Sequence, residues 1–180
     1  MLVLTAEAKD GIRPSHLAEE VTLLFDEFRA PLLRYLLSCR LSVHDGEEIV
    51  QEVFLALFRH LQAGKPRQNL RGWIFRVAHN LALKRHNSLR VGIFQEHTDS
   101  LADVQSDPAP NPEQLIMARQ RQQRLQAVVD ALPERERSCL HLRAEGLRYR
   151  EIAEVLGVSL GTVSMSLERA LGRLQRADGA

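Results

Sequence analysis

The sequence predicts an all-α protein of two small helical domains joined by a flexible linker, the second domain containing a helix-turn-helix. Three observations carry that expectation. Apolar residues recur mostly at i, i+3, i+4 and i+7, only 5% of the 180 residues are aromatic, and a proline-rich acidic stretch without periodicity separates two periodic halves. The 44% hydrophobic content is enough for ordinary globular cores. The expected divisions are an N-terminal extension (1–20), a first domain (21–90), the linker (91–112) and a second domain (113–176).

Met1 to Ala18 is mixed in composition, with Gly11 and Pro14 interrupting it, and reads as a flexible extension. Helical periodicity begins with Val21, Leu24, Phe25 and Phe28 and resumes with Leu32, Tyr35 and Leu36 after Pro31, which should kink the segment or start its second half. Asp45 and Glu48 form a capping-box-like start for the next helix. Val50, Val53, Phe54, Leu57 and Leu61 form its buried stripe, leaving Glu48, Gln51, Glu52 and Arg59 to solvent or to a partner. Gly64 and Pro66 end it. Asn69 can cap a third helix from Leu70 to about His86, with Leu70, Trp73, Ile74, Val77 and Leu81 on one arc as core. The opposite arc carries Arg71, Phe75, Arg76, His79 and Asn80. Basic groups can follow a phosphate backbone and an aromatic face can stack an unpaired base, which suits single-stranded nucleic acid; Phe75 is equally placed to pack on the first helix.

The linker gathers Asp99, Asp103, Asp107, Pro108, Pro110 and Pro112. Its acidity serves either solubility or mimicry of nucleic acid. The second domain opens with a helix carrying Leu125, Val128, Val129 and Leu132, and Pro133 then starts another, Glu134 to Glu145, closed by Gly146. Between Tyr149 and Arg176 the apolar spacing of Ile152, Ala153, Leu156, Val158, Val163 and Leu167 marks two helices about a tight turn. Gly157 tolerates the positive φ of that turn, Val163 plugs the crossing, and Ser159 can cap the second helix, whose first turns would enter a DNA major groove.

The formal net charge of +1 hides a block from Ala63 to Arg90 with seven Lys or Arg and no acid, followed by one from Gln95 to Glu113 with five acids and no Lys or Arg. Cys39 and Cys139 form no CxxC pair, which fits a reducing cytosol. There is no 20-residue apolar run and no signal-peptide pattern, so a cytoplasmic location without membrane insertion is expected. No nucleophile constellation, carboxylate pair or phosphate loop points to an enzyme, and no cofactor is expected. A metal-dependent sensor using His79, His86, Cys139 and His141 lacks convincing ligand spacing, so no metal is expected either.

Four motifs in order carry a resemblance: Asp45-Gly46-Glu47-Glu48-Ile49-Val50-Gln51-Glu52-Val53-Phe54, Leu70-Arg71-Gly72-Trp73-Ile74-Phe75-Arg76-Val77-Ala78-His79-Asn80-Leu81-Ala82, Ala131-Leu132-Pro133-Glu134-Arg135-Glu136-Arg137 and Tyr149-Arg150-Glu151-Ile152-Ala153-Glu154-Val155-Leu156-Gly157-Val158-Ser159. From about Leu23 to Gln175 the chain resembles the extracytoplasmic-function class of bacterial RNA polymerase sigma factors, within the sigma-70 family.

That resemblance implies a promoter-specificity subunit of core RNA polymerase, with no covalent chemistry of its own. Glu48, Gln51 and Glu52 would dock on the β′ clamp helices. Arg71, Phe75, Arg76, His79, Asn80, Lys84 and Arg85 would read and trap the melted −10 strand. The linker would thread towards the active-site and RNA-exit channels, while the second domain binds the β flap and meets the duplex −35 element through Arg148, Arg150, Ser159, Thr162, Ser164, Met165, Arg169 and Arg173. It also allows for an anti-sigma factor as a further partner. Ser164-Met165-Ser166 stands where relatives commonly carry Lys and Arg, so weaker or atypical −35 recognition is expected, and an Arg at Ser166 is expected to strengthen it. The alternative is a stand-alone helix-turn-helix regulator that binds duplex DNA without polymerase; it leaves the Gln51/Glu52 face and the basic-aromatic helix unexplained.

Overall fold

The computed structural model describes residues 14–91 and 112–179, which contain seven helices and no strand. The expected linker, apart from its end residues Val91 and Pro112, and the first part of the N-terminal extension lie outside the described residues.

α1 (Pro14–Ser38) starts at Pro14 and continues through Pro31, so neither proline breaks the chain. At a helix start the missing N–H is no loss; at Pro31 it costs one backbone hydrogen bond, while Phe28, Leu32, Tyr35 and Leu36 bury on either side. Leu17 is buried too, which draws the helix into the expected extension.

α2 (Val43–Gln62) is capped by Ser42, three residues ahead of the expected Asp45. The Ser42 hydroxyl accepts from the Asp45 N–H at 3.1 Å and donates to the Asp45 carboxylate at 2.7 Å, so Asp45 closes the cap from inside the helix. The expected stripe of Val50, Val53, Phe54, Leu57 and Leu61 is buried. α3 (Leu70–Val91) begins on Asn69, whose side-chain oxygen accepts from the Gly72 N–H at 3.1 Å. Asn69 has a φ of 54°, which asparagine tolerates.

α4 (Pro112–Asp130) leads to α5 (Glu134–Ala144), for which Pro133 is the N-cap and Glu134 the first helical residue. Gly146, at φ 86°, turns the chain after α5, and the Leu147 N–H bonds back to the Leu142 carbonyl at 3.1 Å. α6 (Tyr149–Leu156) and α7 (Leu160–Asp178) are joined through Gly157, in the left-handed region at φ 64°. The Ser159 hydroxyl accepts from the Thr162 N–H at 3.1 Å, and Val163 is fully buried at the crossing. The turn, plug and cap expected from the sequence are therefore all present.

The two halves share one apolar core. α2 packs on α1 and α3; α7 packs on α4, α5 and α6; and α6 also lies against α3, as α5 does against α1. The buried cluster accordingly runs from Leu32, Tyr35 and Phe75 into Cys139, Leu142 and Leu147.

Candidate nucleic-acid and polymerase interfaces

Opposite the buried stripe of α2, Gln51 and Glu52 are exposed, with Leu55 59% exposed beside them. Leu55 is a single apolar residue within the acidic and amide outward face of α2. Glu48 is already engaged. Its carboxylate takes Arg85 of α3 at 2.6 Å and His44 at 3.3 Å, while Arg85 also reaches Asp45 at 3.0 Å. Arg85, expected on DNA, and Glu48, expected on polymerase, thus bind each other and brace α2 against α3.

α3 divides its expected nucleic-acid residues between two environments. Arg76, Asn80 and Lys84 are exposed, and Asn80 and Lys84 line a shallow depression with Leu83, Asn87 and Ser88. Lysine and amide groups around a shallow apolar floor suit a sugar-phosphate strand. Phe75 corrects the expectation. It is fully buried, edge-on to Tyr35 with ring centroids 5.7 Å apart, because α1 and α6 flank α3 and enclose the arc that a lone helix would expose. Its basic neighbours on the helical wheel did not decide its exposure.

His79 turns inward as well. Its Nδ1 lies 2.8 Å from the Tyr35 hydroxyl, and burial lowers its pKa against a smaller opposing effect of Glu134. Arg71 pairs with Glu27 at 3.6 Å and stacks over Phe28 at 5.4 Å from the ring centroid. Leu70, Trp73, Val77 and Leu81 pack against the core as expected while Ile74 is fully enclosed.

On the helix-turn-helix, Ser159, Ser164, Met165 and Arg169 are exposed and Thr162 half-buried, on the capped first turns of α7. Met165 is 53% exposed and Leu160 52%, so this surface offers hydroxyl and apolar contacts more than charge. Arg148 and Arg150 are exposed at the start of α6. Arg173 is instead bound to Glu136 of α5 at 2.9 Å. Ser166 brings a second correction: it is buried, facing Cys139, so an arginine there would enter the domain core and not the groove. Only Ser164 and Met165 of the neutral run face outward.

Among the described residues no group of three or more His, Cys, Asp and Glu could hold a metal ion. His86 bonds the Cys39 carbonyl at 2.7 Å. Burial pushes the Cys39 thiol up to about 11 and raises that of Cys139, and burial likewise lowers His141. Neither thiol is therefore a thiolate at neutral pH. No helix among the described residues is long and apolar enough to cross a membrane.

Sequence reasoning missed the arginines that join the halves. Arg34, Arg40 and Arg137 reach Glu145, the Asp130 carbonyl and the Ser38 carbonyl respectively. Arg137 stands in the alternating Glu134-Arg135-Glu136-Arg137 run, which reads as a solvated face, and nothing in its spacing marks it as buried.

An exposed Gln51/Glu52 face on α2, exposed basic and amide groups on α3 and a helix-turn-helix formed by α6 and α7 thus follow one another along the chain. Two patterns of one family match the chain, "Sigma-70 region 2" over residues 24–90 and "Sigma-70, region 4" over residues 122–174, and the chain belongs to the sigma-70 family. Within the family it is similar to the ECF RNA polymerase sigma factor SigE of Mycolicibacterium smegmatis, 38% identical over 152 residues that cover 80% of this chain and 56% of that one. It is also 28% identical over 173 residues to the ECF RNA polymerase sigma factor SigG of Mycobacterium tuberculosis, covering 83% of this chain and 46% of that one. The chain thus falls in the extracytoplasmic-function class and spans about half the length of these relatives. Its fold is that of the Bartonella quintana sigma factor RpoE solved with the anti-sigma factor NepR, at a TM-score of 0.62 and 21% identity, covering 89% of this chain and 94% of that one.

Proposed function

We propose that this chain is a promoter-specificity subunit that binds bacterial core RNA polymerase, recognises −35 and −10 elements and promotes strand separation. It works by binding and positioning, with no catalytic step of its own. The observation that carries the reading is the presence of two separate candidate nucleic-acid faces, Arg76/Asn80/Lys84 on α3 and Ser159/Ser164/Met165 on α7, beside a docking face at Gln51 and Glu52. A stand-alone duplex regulator needs only the second face.

In this reading residues 21–90 hold the β′ clamp helices and the melted −10 strand, and 113–176 hold the β flap and the −35 duplex. Residues 91–112 tether them. Tethering makes binding bivalent, so two individually weak contacts act together once polymerase fixes their spacing. Strand separation draws on binding energy, because a base held outside the stack offsets an unstacking cost of a few kcal/mol. An anti-sigma factor, like the partner in the Bartonella structure, is proposed as a further ligand, and the site of action is the cytoplasm.

Run-off transcription from genomic fragments with bacterial core polymerase tests the proposal. Discrete start sites should appear on adding the protein and fail with Gln51→Ala/Glu52→Ala. Binding to duplex DNA unaided, with no initiation by the cognate core, would overturn it in favour of the stand-alone regulator.

A further inference from the structure

The first turns of α7 carry two apolar side chains that the core does not use. Leu160 is 52% exposed and Met165 53%. At about 100° per residue, Val163, Ser166, Leu167 and Ala170 share one side of the helix, and all four are buried. The opposite side carries Leu160, Gly161, Ser164, Met165, Glu168 and Arg169, all of them exposed. Gly161 stands at its middle, with Leu160 and Met165 to either hand.

Nothing inside the molecule calls for a glycine there. Gly161 is not in the left-handed region, and a Cβ built on it would meet nothing beyond its own helical backbone closer than the Ser159 Oγ, at 3.9 Å. Glycine weakens a helix relative to alanine, so its place on the outward side answers to a body that approaches from outside. The helix-turn-helix supplies that body, because its second helix enters the major groove by its first turns while its first helix crosses the phosphate backbone. The charges are divided to match. Arg148 and Arg150 are exposed at the start of α6, whereas the outward side of α7 has no cation before Arg169.

Bidentate recognition of guanine takes Arg or Lys, whereas the 5-methyl group of thymine takes an apolar contact. We infer that Leu160 and Met165 select thymine through its 5-methyl group in the −35 duplex, and that Gly161 lets the α7 backbone come close enough for both to reach. The inference rests on the promoter-binding reading above. Five residues at about 1.5 Å each separate the two side chains by about 7.5 Å, or about two base-pair steps of 3.4 Å, so two thymines about two steps apart are read. Glu168, further along the same side, offers only acceptor oxygens when ionised. The groove edge of guanine offers acceptors at N7 and O6 as well, so Glu168 turns guanine away.

Duplexes randomised through the −35 region, selected on the full chain bound to bacterial core polymerase, supply the site. Each selected thymine is then replaced by deoxyuridine, which lacks only the methyl group, and affinity is measured by fluorescence anisotropy for wild type, Leu160→Ala and Met165→Ala. Loss of a methyl contact should weaken wild-type binding about three- to fivefold at each of two thymines. Leu160→Ala should abolish that penalty at one thymine and Met165→Ala at the other, each leaving the remaining penalty intact. Both side chains are exposed, so the fold should survive, which circular dichroism checks. Gly161→Ala should keep or raise thermal stability yet weaken duplex binding about fivefold or more, a combination that a purely structural glycine does not give.

Equal affinity for thymine and deoxyuridine, a methyl penalty that persists in both alanine variants, enrichment of guanine at these positions or enrichment of no sequence would each overturn methyl recognition. Wild-type binding by Gly161→Ala would overturn the close approach of the backbone. A chain that selects duplexes unaided and neither binds core polymerase nor directs initiation would remove the promoter reading, and the deoxyuridine comparison on the chain alone would then decide whether Leu160 and Met165 read thymine.

Discussion

Replacing Phe75 distinguishes a core aromatic from a base-stacking one. The ring is fully buried and edge-on to Tyr35. Phe75→Ala therefore removes the transfer free energy of a whole ring and leaves a cavity, about 3–5 kcal/mol in comparable cores. Against a total stability of about 5–15 kcal/mol that is a large fraction. With a urea dependence of about 2 kcal/mol per molar, the unfolding midpoint should fall by about 1.5–2.5 M. Phe75→Leu keeps most of the volume and loses chiefly the aromatic pair, about 1 kcal/mol, so its midpoint should fall by only about 0.5 M. Urea denaturation followed by circular dichroism supplies the midpoints, and fluorescence anisotropy of a single-stranded −10 oligonucleotide with the polymerase-bound protein supplies the affinity. Phe75→Leu should bind the strand within about twofold of wild type, because lost stacking would cost about 1–3 kcal/mol per base. A leucine variant with wild-type stability and tenfold weaker strand binding would refute the placement of Phe75.

Ser166→Arg should destabilise the helix-turn-helix by at least about 2 kcal/mol and weaken duplex binding, since it forces a cation into a buried site beside Cys139; a stable variant with tighter −35 binding would contradict that burial. Stability should also fall as pH drops. Burial holds His79 and His141 below the ordinary value of about 6.5, so the unfolded chain takes up protons first, and stability present above about pH 6.5 is lost below it. The urea midpoint should decrease from pH 7.5 to 5.5, and His79→Gln/His141→Gln should flatten the decline; equal slopes in the two proteins would count against this origin.

Much of each helix was legible because its determinants are local. The α2 stripe, the Asn69 and Ser159 caps and the Gly157 turn each depend on residues within about one or two turns, so spacing and residue type suffice. Even the mistaken cap of α2 was a choice between neighbours, Ser42 and Asp45. The candidate interfaces were only partly legible. Gln51, Glu52, Arg76, Asn80 and Met165 are as exposed as periodicity implied, whereas Phe75, His79 and Ser166 are not. A helical wheel assigns one buried face to each helix, and α3 and α7 are covered from more than one side.

The sequence by itself determined that the chain is helical, where its turns and most of its caps fall and which family it belongs to. Those properties reside in short segments and in motif order. Tertiary structure alone decided which side chains remain available. Arg85 goes to Glu48, Arg173 to Glu136, Arg34 to Glu145 and Phe75 into the seam with Tyr35. Each pairing joins residues at least 37 positions apart, so the partner is chosen by how helices pack and not by anything written beside the residue.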